Sequence, residues 1–457
     1  MPSYSRGAKW GTLISCSLSY FLAWLDFAIV NTALPAIQSD LSASLLQLQW
    51  VMNGFVLALT VTVVTVGRMA DLWGRRLVNI LGVGLFGLSS LGAGLSESPD
   101  GLIAFRFLQG VASSAIVTSS LALISHAFPT HEKGKAIGTW GGIAAIGTAL
   151  GPVLGGIFVS ALSWRWIFYI NVPIAAISII VSLLFIQESR HEGVPQRIDW
   201  KGVFLMTIGL TFFAIALMSG PDWGWMSAKT ATFLAIAVIS LFWFYRSELK
   251  SPYPTIPFTL FAGPGFLYST LVGVCFSFVF TAAIFLMPLY LMNIHHEKPY
   301  IAGLMLLPIT GCIALFSPFI GHLVDKGFSK ILMIIGLCFY IGSTIMQSRF
   351  LPETSAPFIL GAFTLMGLGM AFGRNTATTR AIASAPRHLA GTAGGVLWTV
   401  QNAACVLSLA VIVTMFRTIF ETSSTPASFV IGYHYAMWLA SAVILATILT
   451  LLFAFKK

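Results

Sequence analysis

The chain has 457 residues, of which 57% are hydrophobic and only 9% are charged, and its mean hydropathy is +0.88. Soluble globular proteins carry about 25% charged residues, so this composition excludes a soluble enzyme or binding domain and indicates an integral membrane protein. The formal net charge of +10 is explained by the Lys and Arg residues that membrane proteins concentrate in loops on one side. We therefore expect the lipid bilayer as a partner and no nucleic acid.

Fourteen apolar stretches follow one another along the chain, and each is long enough to cross a hydrocarbon core about 30 Å thick as a helix. A β-barrel would instead show strands of about ten residues with alternating polarity. The predicted spans are 11–34, 50–67, 77–95, 102–126, 136–162, 167–186, 203–219, 228–245, 266–292, 301–323, 331–350, 357–373, 393–416 and 433–455. The sequence therefore predicts an all-α integral membrane fold with 14 transmembrane helices.

The distribution of basic residues predicts the orientation of these helices. When the N-terminus is placed inside, 19 of the 25 Lys and Arg residues fall in inside segments, five fall outside, and Arg106 falls within a span. Because inside loops are enriched in Lys and Arg, we expect both termini to be cytoplasmic. Since no small-residue cleavage site follows the first apolar stretch, we expect that stretch to be retained as a helix.

A short pattern occurs twice, in the loops after the second and the tenth predicted span. The first copy contains Gly67, Asp71, Gly74, Arg75 and Arg76, and the second runs from Gly321 through Asp325 and Gly327 to Lys330. Gly67 allows close packing, and Asp71 can accept hydrogen bonds from the N-terminus of a neighbouring helix. A preference for basic residues inside would explain the arginines, but not the repeated glycine and aspartate.

Repetition of this kind is typical of transporters built from two related halves. If the seventh and eighth spans are an inserted hairpin, the two loops occupy equivalent positions in the two halves. We therefore expect an N-terminal six-helix bundle over residues 1–190, a linker and an inserted two-helix hairpin over residues 191–250, and a C-terminal six-helix bundle over residues 251–457.

Apart from Lys229 and Arg349 at the ends of their spans, two charged residues fall inside predicted spans, Asp26 in the first and Arg106 in the fourth. A carboxylate within the membrane costs at least ~2.5 kcal/mol on insertion scales and normally faces a bundle interior or a watery cavity. The pair therefore indicates a site that handles protons or a charged substrate. Two alternatives stay open, namely a structural contact between helices for Asp26 and extension of Arg106 to the outer interface.

Other motif and cavity candidates are less specific. Glycines that clear one face of the fifth span, together with a proline, predict a close-packed seam or hinge; these residues are Gly138, Gly147, Gly151, Pro152, Gly155 and Gly156. Polar and aromatic residues in helix interiors are candidates for lining a substrate cavity, although each alone fits interhelical packing better. They are Asn31, Asn53, Gln109, Tyr290, Asn375, Trp398, Gln401 and Asn402.

The sequence contains no pattern that points to an enzyme. It shows no Ser/His/Asp set, no metal-ligand spacing among its five cysteines and no phosphate-binding glycine loop. We therefore expect no catalytic residue, no metal site and no cofactor.

Together these motifs resemble those of the major facilitator superfamily, in particular its fourteen-helix drug:proton antiporter family. The resemblance extends along essentially the whole chain. It rests on the loop motif from Gly67, on Arg106–Gly110, on the glycines of the fifth span, and on the segments Asp26–Pro35, Trp164–Pro173, Asp199–Gly202 and Ala390–Val396. Departures from the family pattern are Met69 and Leu72 in the loop motif and the outer end of the ninth span.

The resemblance implies alternating access between two bundles, with proton coupling at Asp26 and Arg106 and the proton gradient as the energy source. It implies a monomer in the bacterial inner membrane that exports a small-molecule substrate, such as a drug, a metabolite or a siderophore-like compound. The alternative is a proton-symport importer of a specific small nutrient. Because no acidic residue falls inside a span of the second predicted bundle, the sequence favours anionic, zwitterionic or neutral cargo over cationic cargo.

Overall fold

The computed structural model describes residues 6–189, 199–251, 254, 256–297, 299–386, 389–408, 411–412, 415–416, 419 and 425–455. Within these ranges, 13 helices are long and apolar enough to cross a membrane, and no strand occurs. The all-helical membrane fold is therefore confirmed. The remaining predicted span, 393–416, coincides with the 19-residue helix Ala390–Ser408 and with residues that lie partly outside the described ranges.

We number the helices in chain order. The first half comprises α1 Arg6–Leu41, α2 Leu45–Trp73, α3 Arg75–Gly94, α4 Pro99–Ala127, α5 Lys133–Ala161, α6 Trp166–Tyr169 and α7 Asn171–Phe185. The hairpin comprises α8 Trp200–Trp223 and α9 Ala228–Glu248. The second half comprises α10 Pro264–Asn293, α11 Pro299–Met305, α12 Leu307–Asp325, α13 Ser329–Gln347, α14 Ala356–Gly369, α15 Asn375–Ser384, α16 Ala390–Ser408 and α17 Pro426–Phe455.

The twelfth predicted span differs most from the structure. Its apolar run indicates an end at residue 373, which leaves Arg374 in an inside loop. In the structure, α14 continues through a π-helical turn, Met370–Arg374, into α15, and the three segments form one span, Ala356–Ser384. Arg374 and Arg380 therefore lie inside a span, which corrects the prediction that Asp26 and Arg106 are the only such charges.

Glycines close the two turns of the repeated motif. Gly74, between α2 and α3, has φ +120°, and Gly327, between α12 and α13, has φ +92°. Residues with a side chain rarely adopt such positive φ angles, whereas glycine adopts them readily. The repeat therefore builds the same kind of tight turn twice, and we call the end of the molecule that carries these turns the motif end.

Each half has its own packing. In the first half, α1 packs on α5, α4 packs on α2 and α3, and α7 contacts α1 and α3; in the second half, α10 contacts α16 and α17, and α13 contacts α14 and α17. The predicted division at residues 190 and 250 stays a prediction, and residues 190–198 of the linker lie outside the described ranges. Seven of the Lys and Arg residues behind the predicted orientation also lie outside them, and that orientation stays a prediction.

The two halves meet at the motif end, where α5 packs on α12 and α2 packs on α16. Glycines bring the backbones together. A Cβ atom added to Gly138 would collide with the carbonyl group of Ser317, and one added to Gly67 would lie 2.6 Å from the carbonyl oxygen of Gly391. Side-chain-free positions therefore let helices of opposite halves approach closely.

The seam between the halves uses a different part of α5 from the one that the sequence indicates. We expected the seam at Gly147–Gly156, but Gly147, Gly151 and Gly155 pack against α1 of the same half. Pro152 and Gly156 face outward. Because two helices that cross at an angle separate after a few turns, the glycine-rich face of α5 meets α12 near its start and α1 further along.

The hairpin lies against both halves. Ala214 of α8 packs with Leu57 and Val61 of α2, and Leu217 packs with Val406 of α16. On α9, large apolar side chains such as Phe242 and Trp243 are exposed, as expected for side chains that face lipid. The hairpin therefore packs on its α8 side and presents α9 outward.

The packing of α5 on α1 predicts a position-specific effect of bulk. A Cβ atom at Gly151 would lie 2.5 Å from the Cβ of Ala28 and 2.9 Å from the amide nitrogen of Ile29, whereas nothing lies within 4 Å of one at Gly156. We expect Gly151→Leu to lower the transport rate per folded molecule at least ~tenfold, because α1 must shift. Gly156→Leu is the matched control and should retain the rate of the parent protein in reconstituted vesicles.

Equal transport rates for the two leucine variants, normalised to the monodisperse fraction in detergent, would contradict this packing argument. A fall in folded protein that accounts for all of the lost activity of Gly151→Leu would assign the glycine a purely structural role.

Candidate functional site

A fully buried polar cluster lies inside the first half, around Asp26 of α1. Arg106 and Gln109 project from successive turns of α4, Asn171 is the first residue of α7, and Ser90 lies near the end of α3. All five side chains are 0% exposed. The structure therefore brings together the two charges that the sequence singled out, and it surrounds them with polar side chains from α3, α4 and α7.

Both oxygens of the Asp26 carboxylate accept hydrogen bonds. Its Oδ2 accepts from Nη1 of Arg106 at 2.5 Å, and its Oδ1 accepts from Nδ2 of Asn171 at 2.6 Å and from Nε2 of Gln109 at 3.1 Å. Ser90 Oγ accepts from the same two amide groups, at 2.8 Å from Gln109 and 3.3 Å from Asn171. The carboxylate is thus held by three donors, as a buried charge requires.

Arg106 has further partners besides the carboxylate. Its Nε donates to the carbonyl oxygen of Val51 at 3.0 Å, its Nη1 also donates to Oε1 of Gln109 at 2.8 Å, and its guanidinium lies 4.6 Å from the centre of the Phe55 ring. The side chain points inward and is fully buried. The alternative that Arg106 extends to the outer interface is therefore wrong in this structure.

Two partners of Asp26 were missed by the sequence reasoning. Asn171 belongs to the segment Trp164–Pro173, which carries part of the family resemblance, so its position in a motif was a usable signal. Ser90 lies in a run of small residues that is common in membrane helices, and nothing in the sequence distinguishes it.

At the motif end, the two repeated aspartates each cap a helix of the opposite half. Asp71 accepts hydrogen bonds from the backbone N–H groups of Gly391 and Thr392, at 3.1 and 2.8 Å, at the start of α16. Asp325 accepts from the N–H groups of Gly134 and Lys135, at 2.6 and 2.9 Å, at the start of α5. Negative charge is favourable at a helix N-terminus, so both contacts stabilise the joined halves.

The basic residues of the first loop motif are tied to their own half. Arg75 donates to Asp71 from Nε at 3.1 Å and from Nη2 at 2.9 Å, and Arg76 donates from Nη2 to the carbonyl oxygen of Leu183 at 2.9 Å. Glu188 accepts from the N–H groups of Arg76 and Leu77, at 3.0 and 3.1 Å, and so caps α3. These contacts fix the turn that presents Asp71 to α16.

A surface ion pair also lies at this end. Lys9 of α1 pairs with Glu132, in the 3₁₀ turn before α5. The hydrogen bond from Lys9 is the main reason why the pKa of the Glu132 carboxyl lies below its usual range. Since the Glu132 carboxylate is partly exposed, the pair adds little to stability.

The candidate cavity residues are not all in one place. Gln109 belongs to the Asp26 cluster, while Asn31 is exposed and its Nδ2 donates to the carbonyl oxygen of Phe27 on its own helix at 3.3 Å. Asn53 is half-buried on α2. The prediction that Tyr290 lines a cavity is wrong. Its hydroxyl donates to the carbonyl oxygen of Leu351 at 2.7 Å within a buried aromatic cluster of the second half. It is a packing residue.

The remaining candidates lie near the contact between the halves. Asn375 donates from Nδ2 to Oγ of Ser317 at 2.5 Å, next to the α5–α12 seam. Trp398, on α16, contacts two aromatic residues of α1: its ring centre lies 6.4 Å from that of Tyr20 and 6.2 Å from that of Trp24. Gln401 and Asn402 follow on the next turn of α16.

An aromatic layer therefore connects the halves. Tyr20 stacks on Trp140 of α5 with ring centres 3.8 Å apart, and Trp24 contacts Phe27 at 5.7 Å. Phe27 in turn lies 6.0 Å from Phe55, whose ring faces Arg106. Side chains of α1, α2, α5 and α16 thus form a continuous apolar surface from the seam to the buried ion pair.

Two helical halves joined at one end, with an ion pair buried in one of them and an aromatic layer between them, define a multi-pass membrane transporter. A comparison with known protein families identifies the family of this chain. Residues 16–409 match the Major Facilitator Superfamily, and the chain belongs to that family. Its members are transporters, which confirms the prediction that the protein is not an enzyme.

Similar proteins include exporters and other transporters. The chain is 32% identical over 407 residues to the tetracenomycin C resistance and export protein of Streptomyces glaucescens, covering 89% of this chain and 76% of that protein. It is 27% identical to the riboflavin transporter RibZ of Clostridioides difficile, with 98% of both chains covered. The structure of the proton:xylose symporter XylE superimposes with a TM-score of 0.68 at 14% identity, covering 98% of this chain and 95% of that one, and so shares the fold.

The geometry around Arg106 predicts that its planar guanidinium is needed. A lysine has one nitrogen and cannot donate at the same time to Val51, Gln109 and Asp26 in the fork geometry of arginine. Losing one charge-assisted hydrogen bond costs about 1.5–3 kcal/mol, so Arg106→Lys should lower the transport rate at least ~tenfold. Arg349→Lys, outside the spans, is the control. Full activity of Arg106→Lys would contradict the assigned geometry.

The aspartate caps predict that the motif end opens more readily without them. Asp71→Asn and Asp325→Asn each replace an acceptor-only carboxylate at a helix N-terminus, at a cost of about 1 kcal/mol for the cap. Asp71→Asn also removes the negative partner of buried Arg75. We expect each variant to lengthen the distance between spin labels at residues 131 and 326, measured by electron resonance in a cysteine-free background. Asp100→Asn, in the first turn of another helix, is the control. Unchanged distance distributions in both cap variants would contradict the prediction.

Proposed function

We propose that the protein exports small amphipathic compounds in exchange for protons by alternating access of its two halves. The observation that carries this proposal is the fully buried Asp26–Arg106 pair. The printed name of the Streptomyces relative, a resistance and export protein, supports the direction of transport.

Asp26 is suited to take up and release a proton. A buried ion pair that loses one charge normally leaves the other uncompensated, at a cost of about 3–5 kcal/mol. Here Arg106 would keep the carbonyl oxygen of Val51, Oε1 of Gln109 and the ring face of Phe55 as partners. The guanidinium therefore has neutral groups to bind when Asp26 is protonated, and the cost of the neutral state is lowered.

The packing supplies a route from this proton site to the seam. Asp26 lies on α1 two residues before Ala28, which packs against Gly151 of α5. The same helix α5 meets α12 of the second half through Gly138 and Gly142. A shift of α1 on protonation would therefore be passed through α5 to the contact between the halves, which is the element that two-state transport requires.

The remaining parts of the proposal follow from the same arrangement. The aromatic layer between the halves offers an apolar surface for the ring system of a small-molecule cargo. The proton gradient is the energy source, no other cofactor is needed, and the chain acts as a monomer in the bacterial inner membrane.

Import by proton symport is the second candidate. It is favoured by the relative named for riboflavin transport, whose alignment with this chain covers 98% of each protein. The proton site would serve both modes, so the direction of cargo movement relative to the proton separates them.

We expect inverted membrane vesicles with an acidic lumen to accumulate cargo, and a protonophore to abolish that accumulation. Tetracenomycin C and riboflavin are the first probes, because relatives are named for them. Asp26→Asn should lower gradient-dependent uptake at least ~tenfold, since an amide cannot exchange a proton with the gradient. Asp40→Asn, on the same helix and bonded to Arg165 and Trp164, should keep it.

Unchanged gradient-dependent uptake in Asp26→Asn, at matched levels of folded protein, would remove Asp26 from the mechanism. Accumulation that occurs only in right-side-out vesicles with an acidic exterior would replace the export proposal with symport import.

A further inference from the structure

Arg374 is a cation near the middle of a span. It ends the π-helical turn Met370–Arg374, and the helix continues for ten more residues to Ser384. At 1.5 Å per residue, Arg374 lies about 15 Å from that helix end, within a 29-residue span that is about 43 Å long and exceeds a hydrocarbon core of ~30 Å. The side chain is half-buried.

No carboxylate compensates this charge in the described part of the chain. Arg75, Arg106 and Arg165 each pair with an aspartate, but Arg374 has neither an ion pair nor a side-chain hydrogen bond among the described residues. Its close contact is the ring of Trp398, whose centre lies 5.7 Å from the guanidinium carbon. An unpaired cation at this depth is costly and is a functional feature by default.

Within the described ranges, buried hydrogen-bond donors without acceptors lie on Trp398, which contacts Arg374, and on residues near Trp398. Trp398 Nε1, Gln401 Nε2 and Trp140 Nε1 are buried and have no partner among the described residues. Trp398 and Gln401 lie one turn apart on α16, and Trp140 and Trp398 both contact Tyr20. Buried donors normally have partners, so the unpartnered N–H groups on Trp398 and on residues linked to it, together with the cation that contacts Trp398, are complementary to an anionic acceptor.

The backbone holds Arg374 in place. Within the π turn, Gly373 packs against the ring of Phe276, and its backbone also lies against Gly336 of α13. A π turn inserts an extra residue into a helix and is frequent at functional sites. The turn therefore fixes Arg374 between α10, α13 and α16, and does not leave it on a freely moving loop.

We propose that Arg374, the indole N–H groups of Trp398 and Trp140, and the Gln401 amide bind an anionic group, such as a carboxylate, on an aromatic cargo molecule. A guanidinium binds a carboxylate through two parallel hydrogen bonds, and the half-buried ring of Trp24 offers a stacking surface for the cargo. This inference rests on the proposed transport function and names the class of cargo. The anion site is distinct from the proton site, because Asp26 already neutralises Arg106.

The test is a binding experiment that needs no proton gradient. The parent protein in lipid nanodiscs is titrated with 2-naphthoate and with its uncharged analogue 2-naphthamide, and binding is followed by quenching of tryptophan fluorescence. We expect tighter binding of the naphthoate. Arg374→Gln should weaken naphthoate binding at least ~tenfold, the loss expected for a charge-assisted hydrogen bond, and leave naphthamide binding unchanged. Arg374→Lys should retain part of the naphthoate preference.

Arg380→Gln is the matched control, because Arg380 lies on α15 and is also half-buried; it should bind both ligands like the parent. Absence of a naphthoate preference in the parent, or equal weakening of both ligands by Arg374→Gln in protein of unchanged melting temperature, would overturn the anion site. If the parent protein shows no gradient-driven transport but still prefers naphthoate in a way that depends on Arg374, only the proposed function is overturned. An intact gradient-driven transport with no effect of Arg374→Gln on binding would overturn only this inference.

Discussion

The arrangement of the first half depends on the buried ion pair of Asp26 and Arg106. Because neither charge reaches solvent, protein groups have to satisfy each of them, and every polar atom of the pair except Nη2 of Arg106 has such a partner among the described residues. That requirement draws a backbone carbonyl of α2, a hydroxyl of α3 and an amide of α7 toward one point on α1. The glycine face of α5 holds α1 from another side, next to Asp26. Five helices are therefore positioned by one carboxylate or by its immediate neighbours.

The two halves carry different kinds of charge. In the first half, the intramembrane cation has its own carboxylate, and the cluster is electrically balanced. In the second half, Arg374 has no such partner among the described residues, and the nearby donors favour an added negative group. A proton and an anionic cargo molecule would then bind at separate places, and neither needs to displace the other. Their coupling would be carried by helix movement across the seam, and it would pass through the contacts made by Gly138 and Gly151.

Local sequence patterns predicted the fold better than they predicted which side chains contact each other. Apolar length identified the spans, and the repeated loop identified Asp71 as an acceptor for a helix N-terminus, because both signals are contained in short segments. Ser90 was missed because contacts between side chains depend on how apolar helices rotate against one another, and helices that are apolar all round give little periodic signal. Asn171 was missed although its motif offered a signal. The hydropathy pattern ended the twelfth span at Arg374, whereas packing of the glycines around the π turn keeps the helix continuous. Tyr290 was assigned to a cavity on residue type alone, which cannot separate a lining position from a core position.

The exchange of caps between the halves has a consequence for the speed of transport. Asp71 and Asp325 act on separate helices, so their contributions are expected to add. Two helix caps of about 1 kcal/mol each favour the joined motif end by about thirtyfold, and one cap alone by about fivefold. A single contact of the same total strength would have to break in one step, whereas the two weaker caps can break one after the other. Loss of one cap leaves only about a fivefold preference for the joined state, so in the proposed alternating access the motif end would be mostly shut at rest and would still open in each cycle.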